Sequence, residues 1–195
     1  MNVQKAAYLG LLVLITLGGL GSVSAEDTER KAKHLGTAMP SSEEIVNSLR
    51  LPCEQVPGCS RQIMLGERVK LSKPVETSIS TSLVNFETGS SKLSRTTNKV
   101  LDAFATALQD PRASGTITVE GHADKRGSDK INDPLSQARA EAVVSYLTSK
   151  GVDPSRLKAE GKGSRAPIDL VDPANRLNRR VEFVVSHPAG TEIKQ

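Results

Sequence analysis

Apolar positions recur along this chain with three different periods, and each period marks a different kind of segment. Ala6 to Leu20 is an almost unbroken apolar run behind the basic start Met1-Asn2-Val3-Gln4-Lys5, closed by the small residues Val23-Ser24-Ala25. That is the pattern of a secretory signal, and cleavage is expected before Glu26. Glu26 to Met39 is polar. Ile45, Val46 and Leu49 then line one side of a short helix, with Ser41 and Glu44 spaced as a capping box and Pro52 ending it. A period of two follows: Ile79, Thr81 and Leu83 alternate with Ser80, Ser82 and Val84, which predicts a strand running to Phe86. Gly89-Ser90-Ser91 breaks it. Leu93, Thr97, Val100, Leu101, Phe104 and Leu108 recur at three and four, so a helix is expected up to Asp110-Pro111.

Thr116 to Glu120 reads as a second strand, followed by the loop Gly121 to Asn132. Asp133-Pro134 has the form of a helix start, Leu135, Ala138, Ala142, Val143, Tyr146 and Leu147 its buried stripe, and Gly151 its stop. Arg156 to Glu160 and Val181 to Ser186 predict two more strands. The order is βαβαββ: an α+β domain over residues 75–187, one sheet with two helices on one face. Residues 26–74 form a short N-terminal extension, and 188–195 a polar tail. The helix stripe Ile45, Val46 and Leu49 is a candidate surface for an envelope protein partner, or packs on its own domain.

Composition narrows the classes. Removing residues 1–25 from the 195 leaves 170, enough for one domain plus an extension. Loss of Lys5 lowers the net charge from +4 to +3. With basic and acidic residues interleaved and no aromatic stacking platform, nucleic acid is not indicated. Tyr146, Phe86, Phe104 and Phe183 are the aromatics beyond the signal, so an aliphatic core is expected. No Cys follows the apolar run to carry a lipid. The apolar run is too short for a confident span, so the processed chain is not expected to be integral to a membrane. Export implies an oxidising compartment, where Cys53 and Cys59 are expected to pair; so small a loop would stabilise by roughly 2 kcal/mol. Five residues separate the two, which is not a redox or zinc spacing.

Candidate chemistry concentrates after the second strand. Gly121-His122-Ala123-Asp124 sets an acid at a strand end, and Arg139 stands on the helix that follows. An Asp and an Arg facing one space can grip a zwitterion, the acid taking an ammonium and the guanidinium fork a carboxylate. From residue type alone, a structural ion pair is the plainer reading. His122 has no acid at a ligand-like helical offset and is expected to pack or hydrogen-bond beside the loop. No metal site, cofactor or catalytic triad is indicated.

Written as G-H-A-D-K-R-G…N…L-S-Q-A-R-A…Y-L…G…N-R-R-V, these separated motifs resemble the OmpA-like C-terminal domain, from about Val75 to Ser186. The resemblance implies a mixed sheet. It also implies non-enzymatic, non-covalent binding of peptidoglycan through the diaminopimelate of its stem peptide, in the periplasm of a Gram-negative envelope and associated with the outer membrane. Asp124 and Arg139 would hold the free ammonium and carboxylate. Asn132 stands where it would donate to the same carboxylate or serve the turn, and Leu135 where it would line the pocket or join the core. Thr88 aligns with a loop that closes the pocket through backbone groups. The family's usual Phe-Asp reads Phe86-Glu87, one methylene longer. Arg179, in Asn178-Arg179-Arg180, would help the pocket or meet anionic groups. The alternative function is a protein–protein adaptor on the same fold with an idle pocket.

Overall fold

What the central strands bury decides the architecture. In a computed structural model of the chain, residues 33–35, 39–50, 69–71, 73–81 and 83–193 are described. The expected signal and the Cys53–Cys59 pair lie outside them. The strands are β1 (Lys33–Leu35), β2 (Val69–Lys70), β3 (Val75–Thr81), β4 (Thr116–His122), β5 (Leu157–Gly163), β6 (Val181–His187) and β7 (Glu192–Ile193). The helices are α1 (Ser42–Leu49), α2 (Arg95–Leu108) and α3 (Asp129–Ser149). From β3 onward the order β3-α2-β4-α3-β5-β6 is the expected βαβαββ. The main sheet runs β1-β3-β6-β4-β5, with β3, β6 and β4 antiparallel and both outer pairs parallel. The sheet is therefore mixed.

One face carries Ile79, Ile117, Val119, Val181, Phe183 and Val185 against Val100, Leu101, Phe104 and Leu108 of α2 and Val143 and Leu147 of α3. The core is mostly aliphatic, but Phe104 and Phe183 stack at its centre, ring centroids 4.1 Å apart. Ile45, Val46 and Leu49 of α1 are buried in the same cluster. The face proposed for a partner is thus covered by the domain itself. Ser41 and Glu44 form the expected capping box, with Ser41 N donating to Glu44 Oε2 at 2.8 Å and Glu44 N to Ser41 Oγ at 3.2 Å.

β4 and β5 run two and three residues past their expected ends, to His122 and Gly163, and three other boundaries differ from expectation. β3 starts at Val75 and ends at Thr81, whose hydroxyl takes the Leu83 amide; Phe86 meets Leu93 in an isolated bridge instead. α3 opens at Asp129, with the amides of Ile131 and Asn132 donating to Ser128 O. Pro134 is tolerated one turn in because the carbonyl it leaves without a donor, that of Lys130, belongs to an exposed residue. Asp133 instead receives Arg165 Nη1 at 2.6 Å. The tail returns: Glu192–Ile193 pairs with Val69–Lys70.

The stripe of α3 is turned by about one residue from the expected one. Ser136, Arg139 and Ala140 are buried, while Leu135 and Ala138 are half-buried. The cause is a pair of glycines. Gly121 of β4 and Gly161 of β5 lie opposite each other beneath the helix. A Cβ on Gly121 would run into the Ser136 carbonyl, and one on Gly161 would sit 2.5 Å from Gln137 N. Backbone packs on backbone there. Gly161 N donates to Gln137 Oε1 at 2.7 Å and Gly163 N to Ser136 Oγ at 3.0 Å, locking the approach. At the outer edge of the sheet β5 carries Lys158, Glu160 and Lys162, ion-paired along the strand.

Candidate functional site

The end of β4, the third turn of α3 and the start of β6 meet beside a cavity of about 420 Å³. Leu83, Val84, Asn85, Phe86, His122, Arg139, Arg176, Leu177, Arg179 and Arg180 line it. Four arginines and no acid line this space; two of them, Arg179 and Arg180, are paired with carboxylates, so its positive field comes from Arg139 and Arg176 and favours an anionic ligand.

Arg139 is 5% exposed. Its Nε donates to Ser90 O at 3.0 Å and its Nη2 to Glu87 O at 3.1 Å, and the guanidinium lies 5.1 Å over the Phe86 ring. Among the described residues no carboxylate bonds to it. Burial lowers its pKa from the ordinary value, the Arg179 charge pushes the same way and Asp124 opposes. The loop after Phe86 therefore does meet Arg139 through backbone carbonyls, those of Glu87 and Ser90. The Glu87 side chain is exposed, and Thr88 is exposed in the turn and outside the cavity lining.

Asp124 is 7% exposed and is paired with Arg179 rather than Arg139: Arg179 Nη1 lies 2.5 Å from Oδ2, and the Arg126 amide donates to Oδ1 at 3.2 Å. Asp124 thus backs the cavity through Arg179. Asn132 spends both protons of its amide on the loop, donating to Asp124 O at 2.9 Å and Gly127 O at 3.1 Å. In this structure it serves the turn. Leu135 is half-buried and lies neither in the core cluster nor on the cavity wall.

His122, Arg176 and Arg180 join the site without having been singled out as site residues. Arg180 is buried and neutralised by Glu182, Nε to Oε1 at 2.7 Å. His122 is 3% exposed, and neither ring nitrogen finds a hydrogen-bond partner; it packs beside the loop as expected, but does not hydrogen-bond there. Its nearest acids are Glu120 and Glu182, 3.7 and 3.9 Å from Nε2. The signal for Glu120 was the strand period of two, which sets it and His122 on one face; a search at helical offsets passes over it.

The sequence model of the OmpA family matches residues 85–180. "Outer membrane protein A" of Shimwellia blattae is 39% identical over 87 residues, 44% of this chain and 36% of that protein. "Peptidoglycan-binding protein ArfA" of Mycobacterium bovis is 41% identical over 91 residues, 46% of this chain and 26% of that protein. The chain spans well under half the length of both curated relatives. Among solved structures, the periplasmic domain of MotB from Helicobacter pylori superposes with a TM-score of 0.50 at 24% identity, over 63% of this chain and 79% of that one. That likeness is one of fold.

Proposed function

Since residues 85–180 belong to the OmpA family, we propose that the chain is a non-covalent binding module for peptidoglycan, without catalysis, in the periplasm of a Gram-negative envelope. Its ligand would be the zwitterionic side-chain end of diaminopimelate in the stem peptide. The observation that carries this reading is the Arg139 guanidinium, buried yet bonded only to carbonyl oxygens among the described residues. A buried charge without a counter-charge is costly, and a ligand carboxylate would supply one. Among the described residues, Nη1 is the nitrogen without a hydrogen bond. The ligand ammonium would take Asp124 in exchange for Arg179. A lysine-type stem offers the ammonium but no carboxylate, so Arg139 would stay unpaired; selectivity follows from that penalty. The name of the ArfA relative supports the same ligand class.

Co-sedimentation with purified diaminopimelate-type sacculi tests this, using wild type, Asp124→Ala and Arg139→Ala, each first shown to be folded by circular dichroism. Wild type should pellet, and each variant should bind more than tenfold more weakly, since truncating one partner of a buried charged pair costs about 2 kcal/mol or more. Free diaminopimelate-type peptide should compete better than its lysine-type analogue. If all three proteins stay in solution, the adaptor reading replaces this one. If all three pellet alike, binding is diffuse electrostatics.

A further inference from the structure

We propose that Glu120, His122 and Glu182 form a site for one divalent transition-metal ion of the zinc class. This is independent of the peptidoglycan reading. Glu120 and His122 stand two residues apart on one face of β4, and Glu182 lies opposite Glu120 in register on β6. All three are buried, and one donor atom from each lies within 4.8 Å of the others. Zinc bonds of about 2.0–2.2 Å to nitrogen and oxygen put tetrahedral donors about 3.4 Å apart. The observed 3.7 and 3.9 Å from His122 Nε2 to the two carboxylates are too long for hydrogen bonds and close to that spacing. The three side chains stand on adjacent, hydrogen-bonded central strands with their donor atoms within 4.8 Å of one another, so closing the site moves rotamers and not backbone.

The second observation is the imidazole itself. It is 3% exposed, and neither nitrogen has a hydrogen-bond partner, which is rare for a buried histidine. Ser80, registered opposite Glu182 on β3, is fully buried with an unpartnered hydroxyl on the same row. An imidazole with two carboxylates suits zinc and its neighbours in the first row better than magnesium or calcium, which prefer all-oxygen shells.

Among the described residues, two cations compete. Lys162 Nζ lies 3.3 Å from Glu120 Oε1, and Arg180 Nη2 2.6 Å from Glu182 Oε1. Lys162 already holds Glu160 as a second partner, at 2.5 Å, so an incoming metal releases it without stranding a charge. On Glu182 the oxygen facing His122 is Oε1, which already takes Arg180 Nε at 2.7 Å and Nη2 at 2.6 Å, so a turn of the carboxylate would give the metal Oε2 while Arg180 stays on Oε1.

Titration of the chelator-stripped full chain with Zn²⁺ tests the site, read by calorimetry and by melting temperature, beside His122→Asn and the control His187→Asn. Wild type and His187→Asn should bind one tight equivalent and melt higher when loaded. His122→Asn should lose that equivalent, with affinity at least tenfold weaker. Nitrogen NMR of the wild-type imidazoles gives a readout that needs no variant to fold: the His122 Nε2 resonance should shift on loading and return with chelator. Equal titration of wild type and His122→Asn, no saturable binding by wild type, or an unmoved His122 resonance each overturn the proposal.

Discussion

Arg139 and Arg156 are two guanidiniums whose hydrogen bonds go to carbonyl oxygens, and they differ in one count. Arg156 spends its whole fork, with Nε on Gly115 O at 3.0 Å, Nη1 on Leu108 O at 2.8 Å and Nη2 on Ala113 O. It pins the end of α2 to the start of β4 with all three nitrogens engaged. Arg139 bonds through Nε and Nη2 and keeps Nη1 for something else. Burial acts on His187 in the same direction as on Arg139: desolvation, and then the Arg156 charge, hold its pKa below the ordinary histidine value. The unfolded chain takes up that proton near pH 6.5, whereas the folded chain resists it. Stability should therefore be full above pH 6.5 and fall below it, by at most about 1.4 kcal/mol per pH unit from this group. Urea melts at pH 7.5 and 5.5 should show a smaller difference for His187→Asn than for wild type; an equal difference would place the sensitivity on other groups. None of these partnerships was legible in the sequence. Asp124 finds Arg179 across 55 positions, and no local pattern announces a pairing of that range.

At the scale of elements, periodicity was legible where one principle acts alone. The α1 capping box, the stripe of α2 and the βαβαββ order follow from spacing. They failed where two signals compete. Asp133-Pro134 is a strong local helix start, yet the chain begins α3 at Asp129 because Ser128 O can take two amides. The rotated stripe of α3 came from Gly121 and Gly161, whose meaning depends on a helix far away in sequence. Gly121→Ala should push the Ser136 backbone off the sheet, costing about 1–3 kcal/mol. Arg139 lies one turn further along, so the same change should weaken ligand binding although it touches no ligand. Unchanged melting and binding would show that the helix can slide at no cost. The docking of α1 was equally illegible, since a stripe does not name its partner. Leu49 is fully buried in the main cluster, and Leu49→Ala should lower the stability of the domain by about 2–5 kcal/mol in a single transition. A separate, earlier transition would mean that α1 is an independent extension.

Across the whole molecule, charge and shape divide the labour. The helices occupy one face of the sheet, and the site gathers where β4 ends, α3 begins its third turn and β6 starts. A module that binds a polymer sits side by side with its own copies, and at such local concentration an open sheet edge becomes a template for growth. Here one end of the main sheet is a strand of only three residues, β1, and the other, β5, alternates Lys158, Glu160 and Lys162. Short strands and alternating charge both frustrate strand addition. Crowding should therefore raise occupancy without seeding fibres. Light scattering and thioflavin fluorescence should stay flat with concentration for wild type and rise for Lys158→Val/Glu160→Val; a flat response in both would mean that this edge is guarded by something other than its charges.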